Sequence, residues 1–330
     1  MAAAYQGTVN QLILSAARRG NIPDAQMTYM IPDFLAIANE ELLAYALPVL
    51  HARREDYYLA ELMFSLASPD LYIGSESPST VKNPAWRLPE WAMASSVRDV
   101  QGVSPSGAFY LVPRLEVDDI PANSTAQGWF FYGDYIVYQQ NLIGSVAPPQ
   151  TLRVICHTKP NSLMVDGELL SLYTDAPIDQ TQQAQITNVI DTTHFAVSIP
   201  VTYVAGDTID ICSGKPGYEV KTRQASIADV TAGINIELSS APHYPYAVGD
   251  WITYPGFTPV VPLPLEMHAL LAQRIVVKFL EAQGEESQLA QARGSLDEMV
   301  RQVPILIQPR AEGKPKKLTN RYGLWRRWRW

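Results

Sequence analysis

Cysteine is almost missing from this chain: Cys156 and Cys212 are the only two in 330 residues. Two cysteines are too few for a disulfide framework or for a structural zinc site. No apolar run reaches the roughly 18 residues of a membrane-crossing helix. The opening Met1-Ala-Ala-Ala-Tyr5 carries neither the basic nor the apolar stretch of a secretory signal. The expectation is a soluble protein made in the cytoplasm, with no membrane contact. Histidine is also sparse. None of His51, His157, His194, His243 and His268 has a second His or Cys at metal-ligand spacing on one helix. Cys156 and His157 fall on opposite faces of an expected strand. Phosphate-binding loops, dinucleotide fingerprints and nucleophile elbows do not occur either. No cofactor, no metal and no catalytic residue is expected.

What the chain does have is apolar material, 47% of residues against 18% charged, which is enough for true cores. Its length suits about two domains. The net charge of −8 conceals a division: Arg310–Trp330 holds eight basic residues and one acid, Glu312, for +7, and the remaining 309 residues hold 17 basic and 32 acidic side chains, for −15. A body that acidic repels nucleic acid at long range.

The order of patterns is helical, then β, then helical, then tail. Thr8 is placed to cap a helix carrying Val9, Leu12, Ile13, Ala16 and Ala17, with Gly20 as its stop. A second helix is predicted from Pro32-Asp33, with Phe34, Ile37, Ala38, Leu42 and Tyr45 on one face and Pro48 ending or kinking it. From Asp56 to Pro262, turn formers interrupt short β-branched and aromatic runs such as Leu152–His157 and Phe195–Ile199. Gly-Asp before alternating apolar residues occurs three times, at Gly133-Asp134, Gly206-Asp207 and Gly249-Asp250, and fits a tight turn feeding a strand. The last two copies close stretches that begin at Ile186 and Ile227 and carry Pro200 and Pro242, which suggests a duplicated unit forming a small barrel or sandwich. After Val261-Pro-Leu-Pro264, helix returns. Met267, Leu270, Leu271, Ile275 and Phe279 mark one helix ending at Gly284; Leu289, Ala292, Leu296, Met299 and Val303 mark another ending at Pro304. A short connection makes these an antiparallel hairpin.

The predicted fold class is therefore α+β, a bundle of N- and C-terminal helices with an inserted, mainly antiparallel β domain and an extended C-terminal arm. The predicted boundaries are 1–55 for the first bundle helices, 56–262 for the β-rich domain with its duplicated unit at about 186–257, 263–304 for the C-terminal hairpin, and 305–330 for the arm.

Acidic pairs at Glu40-Glu41, Asp118-Asp119 and Glu285-Glu286, with Asp166 and Glu168 around Gly167, read as solvated helix starts and turns before they read as metal ligands or a glycosidase pair. The tail is different. Three of the seven tryptophans lie in the last six residues, interleaved with Arg326, Arg327 and Arg329. Leaving a large aromatic in water forgoes about 2–3 kcal/mol, and Trp and Arg are the usual hot-spot residues of interfaces. A frayed terminus, an anionic membrane surface and single-stranded nucleic acid are the rival readings. A groove on a protein partner accounts best for the composition, with the arm ordering as it docks.

Four stretches carry a family likeness: Asn39-Glu-Glu-Leu-Leu43 through Leu47-Pro48 to Arg53-Arg-Glu-Asp-Tyr57; Trp86-Arg-Leu-Pro89 through Ser96–Val100 to Leu111-Val-Pro-Arg-Leu115; Gly128 to Leu152–Pro160; and Lys316-Lys-Leu-Thr-Asn-Arg-Tyr322 with its Arg/Trp end. In their order they resemble the head-to-tail connector (adaptor) proteins of tailed bacteriophages. The likeness spans about 36–160 and 264–330; the duplicated β stretch lies outside it. What the resemblance implies is a structural virion protein at the head–tail junction, a homo-oligomeric, twelve-fold ring beneath the portal protein. Its other side would receive the tail or a tail-tube (nozzle) protein, and genomic DNA would pass through without specific binding. The portal-binding residues implied by the tail's position are Arg321, Tyr322, Leu324, Trp325, Arg326, Arg327, Trp328, Arg329 and Trp330. The aromatic and leucine side chains would be anchors and the arginines would meet acids or carbonyls of the portal. The alternative is a carbohydrate or cell-surface binding module using Tyr244, Tyr246, Trp251 and Tyr254, and a glycosidase built on Asp166 and Glu168 ranks third.

Overall fold

The computed structural model describes residues 7–21, 24–52, 54, 57–73, 83–104, 106–115, 127–139, 149–165, 183–215, 220–242, 244–284 and 286–307. Helix α1 (Val9–Arg19) starts where Thr8 accepts the Gln11 N–H at 3.3 Å and stops where the Gly20 N–H returns to the Ala16 carbonyl. Helix α2 (Asp24–Glu41) begins earlier than proline chemistry suggests and runs through Pro32, which faces solvent between buried Ile31 and Phe34. Burial of those neighbours holds the turn that proline weakens. The helix then widens into one π-type turn (Leu42–Ala46) ahead of α3 (Leu47–His51), whose Pro48 cannot donate to the preceding turn. Helix α4 (Leu265–Gln283) ends at Gly284 in the left-handed conformation, φ 74°. Helix α5 (Glu286–Ile307) packs back on it through Ala292 and Leu296, and continues past Pro304 because Val303 and Ile307 are both buried.

The strands make two separate bodies. In the first, a four-stranded antiparallel sheet of order β1-β8-β4-β5 uses β1 (Leu59–Ser65), β4 (Ala92–Val103), β5 (Phe109–Leu111) and β8 (Thr151–Thr158). It packs on a sheet of order β2-β3-β7-β6, made of β2 (Leu71–Ile73), β3 (Asn83–Arg87), β6 (Gly128–Tyr132) and β7 (Tyr135–Gln139). Trp86, Trp129, Ile136 and Tyr138 of one sheet meet Val100, Leu152, Val154 and Cys156 of the other. Segment 113–115 stitches the sheets together: Trp129 N–H reaches the Pro113 carbonyl and Leu115 N–H the Trp129 carbonyl.

The second body is a closed six-stranded barrel, β10-β11-β14-β13-β12-β15, of β10 (Ala184–Val189), β11 (His194–Val197), β12 (Thr208–Cys212), β13 (Val220–Thr231), β14 (Asn235–Leu238) and β15 (Trp251–Thr253). The two sequence units are its halves. Exchanging β10, β11, β12 for β13, β14, β15 leaves the ring of pairings unchanged, so the barrel has an internal two-fold pattern. The Gly-Asp turns obey it. Gly206 N–H and the Asp207 carbonyl clasp Ile227, while Gly249 N–H and the Asp250 carbonyl clasp Ile186. Both glycines have positive φ, 94° and 96°. Between the two bodies, β9 (Ser162–Leu163) pairs in parallel with β16 (Phe257–Thr258).

This architecture corrects the expected α+β class. The fold is mixed α/β, with 37% strand against 31% helix among the described residues and a closed six-stranded barrel, not a helical bundle carrying an inserted β domain. The physical reason lies in the largest core. Alongside Leu12, Phe34, Leu271 and Ile275 from the helices it contains Tyr58, Leu163, Val165, Val261 and Leu263 from β and connecting segments. The helices form a layer that is completed by β residues and has no closed core of its own. Asn39 makes the joint polar as well as apolar, exchanging side-chain hydrogen bonds with the backbone of Leu163 (2.7 Å and 3.4 Å).

Candidate docking surface

Every residue that the sequence assigned to portal binding, Arg321, Tyr322, Leu324, Trp325, Arg326, Arg327, Trp328, Arg329 and Trp330, lies outside the described residues. Their launch point is described. Helix α5 runs to Ile307, three residues into the stretch expected as arm, turns Val303 and Ile307 inward and leaves Ile305 and Leu306, 72% and 62% exposed, on its outer side. Apolar side chains left in water beside a segment rich in Trp extend the same candidate interface onto the folded body.

A second exposed apolar surface lies on the outer face of the β1-β8-β4-β5 sheet. Register sets Met63, Arg153, Gln101 and Leu111 in one row across it, with Ser65, Thr151, Val103 and Phe109 in the next. Met63, Phe109 and Leu111 are each more than half exposed. Arg153 lies at the centre, its guanidinium 5.0 Å from the Phe109 ring, hydrogen-bonded to Gln101 at 3.2 Å and paired with Glu61. The pairing holds the cation flat over the face, so that apolar and charged contacts are offered together. Sequence reading missed these residues. In Leu59–Ser65 the alternation sets Ala60, Leu62 and Phe64 against Leu59, Glu61, Met63 and Ser65, and only the pairing with β8 shows that Met63 lines up with Arg153 and Leu111 on the outer face.

The barrel is fixed to the sandwich by a buried polar joint. Asp210 of β12 accepts the N–H groups of Gln224 (2.8 Å) and Gly256 (2.9 Å) and the amide of Asn161 (2.8 Å). Asn161 in turn accepts from Arg223 at 2.6 Å, and Arg223 reaches the Lys159 carbonyl and lies 5.3 Å over Trp91. A second acid, Asp250, is buried against Lys221 at 2.6 Å and accepts the Gly214 N–H. These charges are committed to partners inside the fold.

The remaining chemistry-bearing residues separate in space. Cys156 and Cys212 are both buried free thiols pushed up by burial, to about 11 and about 12, and so carry no thiolate character near neutrality. Buried Glu41 pairs with Arg274 at 2.6 Å; Glu40 and Glu286 face solvent. The His51 ring lies 4.6 Å from that of His157 at a tilt of 42°, and burial first and that neighbour second lower its pKa. His194 is held between Asp191 and Glu237, and its hydrogen bond to Asp191 raises its pKa. His268 donates from Nε2 to the Leu263 carbonyl (2.9 Å), and burial lowers its pKa. Asp118, Asp119, Asp166, Glu168, His243 and Glu285 lie outside the described residues. Among the described residues no group of three His, Cys, Asp or Glu side chains could hold a metal ion, and no helix is long and apolar enough to cross a membrane.

The four aromatics of the sugar-binding alternative do not share one open face. Tyr246 is buried edge-on against Phe195, 4.9 Å between ring centres, and its hydroxyl donates to the Asp191 carbonyl. Tyr244 and Tyr254 are exposed, and Tyr254 leans on Tyr203. Compared with known proteins, the chain matches no protein-family model and no curated sequence.

Proposed function

We propose that this protein is a structural virion subunit, a head-to-tail connector that assembles as a ring beneath the phage portal and docks through its basic, aromatic arm. The observation that carries the reading is the way α5 ends: exposed Ile305 and Leu306 lead straight into a segment of charge +7 with three tryptophans, attached to a body of charge −15. Such a composition gains free energy only against a partner that covers the aromatics and answers the arginines. The exposed row Met63, Arg153 and Leu111, together with Phe109, offers a second contact, suited to a neighbouring subunit or the tail-side protein. In this reading the acidic body keeps DNA moving through the ring without holding it.

The test is electron microscopy of the purified protein mixed with portal rings of its phage. Rings stacked on portals, with density for the arm in a portal groove, are expected. Monomers that ignore the portal would remove the reading.

A further inference from the structure

Strand β1 is a sheet edge: among the described residues it pairs with β8 and with nothing on its other side. Thr158 N–H meets the Tyr58 carbonyl at 2.7 Å, and Leu66 N–H meets the Gln150 carbonyl at 3.0 Å. In that register Ala60, Leu62 and Phe64 turn their backbone groups to β8, and Leu59, Glu61 and Met63 turn theirs outward. The run Leu59–Ser65 has no proline and no lysine and a single acid, so it lacks the usual devices that blunt an edge. Glu61 and Met63 are exposed on the outer face, and half-buried Leu62 and Phe64 rim the sandwich core.

The arm matches this edge at four of six positions in one antiparallel register, in which Arg326 and Arg329 fall opposite Leu62 and Leu59. In an extended chain Trp325, Arg327 and Arg329 fall on one side, and Leu324, Arg326 and Trp328 on the other. With Trp325 set antiparallel opposite Met63, Arg327 falls opposite Glu61, the one charge of the strand. Leu324 and Trp328 then fall opposite Phe64 and Ala60, along the core rim. Directly opposed residues share a face about 4.5–5.5 Å apart, which is contact distance for an aromatic on a thioether and for an ion pair. Reach is sufficient. The 17 residues from 308 to 324 span up to roughly 56–61 Å, and Ile307 belongs to the same core as Tyr58, which leads into β1.

We propose that in the free subunit the arm docks on its own chain's β1 edge as an added antiparallel strand, covering the portal-binding residues until a portal competes for them. The masking role rests on the connector reading; the contact itself does not.

Residue-resolved amide exchange of the full chain tests it without any portal. The Glu61 and Met63 amides, which no β8 partner protects, should exchange about tenfold or more slowly in the full chain than in Arg327→Glu. The Ala60, Leu62 and Phe64 amides should be unchanged in both, which shows that the sandwich is intact. Glu61→Arg alone should release the arm, and Glu61→Arg with Arg327→Glu should restore protection. Equal exchange at Glu61 and Met63 in the full chain and Arg327→Glu would overturn the proposal, and so would protection that falls on dilution. A chain that stacks on portals yet shows no such protection refutes only the docked arm; a docked arm without portal binding refutes only the connector reading.

Discussion

Replacing Asp210 by alanine probes how the barrel is held to the rest of the molecule. The carboxylate is 1% exposed and accepts three hydrogen bonds, from the Gln224 and Gly256 backbone and from Asn161. Gln224 sits at φ 52° in a bulge of β13, a conformation that a non-glycine residue keeps only when its surroundings impose it. Each hydrogen bond to a buried carboxylate contributes about 1.5–3 kcal/mol. The three do not add fully, because Asn161 can turn and stays bonded to Arg223. Removing the acceptor leaves the buried Gln224 and Gly256 N–H groups short of a partner, so the expected loss is about 3–5 kcal/mol. Asp210→Asn keeps the volume but presents a donor where an acceptor is needed, at about 1.5–3 kcal/mol. Urea denaturation of the full chain gives the total. Exchange at the Gln224 and Gly256 amides locates it, which matters because two β bodies can unfold in separate steps. A loss below about 1 kcal/mol in Asp210→Ala, with the Gln224 amide still protected, would refute the joint.

Arg274→Ala leaves the Glu41 carboxylate buried without its 2.6 Å partner, and thermal denaturation should show a loss of about 3–5 kcal/mol that Glu41→Gln partly recovers in the double variant. Gly214→Ala puts a methyl 1.9 Å from the Gly249 carbonyl oxygen, so it should destabilise more than Gly206→Ala, where space is open and only the positive φ resists; urea midpoints of the two decide it. His194 has a raised folded pKa, so the stability it contributes is fully present below the unfolded value near 6.5 and is lost as pH rises through the folded value. Exchange protection of the β10–β11 hairpin should therefore weaken on raising the pH from 6 to 9, and His194→Gln should flatten that slope. His268 runs the other way: its lowered folded pKa means stability lost as pH falls below the unfolded value, a loss His268→Gln should remove from acid titrations followed by fluorescence.

Local signals were the legible part of this fold. Thr8 and Gly20 bound α1, and the Gly-Asp turns at Gly133, Gly206 and Gly249 all have positive φ and feed strands. The duplicated units could be recognised from Ile186 and Ile227 and read as a small barrel or sandwich, yet not the strand order that closes the ring, because β12 pairs β15 and β10 pairs β15 across long stretches of chain. Long-range packing also decided where local rules failed. Pro32 and Pro304 sit inside helices anchored by buried Ile31 and Phe34 and by buried Val303 and Ile307, and Tyr58, Val165 and Val261 complete the helical core although nothing in their local pattern is helical. The arm announced itself by composition. Met63, Phe109 and Arg153 did not, since which side of β1 meets the core is set by its partner strand.

The most direct measurement is the affinity of the full chain for portal rings of its phage, set against that of a chain lacking the last nine residues, 322–330, with circular dichroism as the check that both are folded. Losing several Trp and Arg anchors at about 2 kcal/mol or more each should abolish measurable binding while the spectrum stays the same. Unchanged affinity in the shortened, folded chain would contradict docking through the arm.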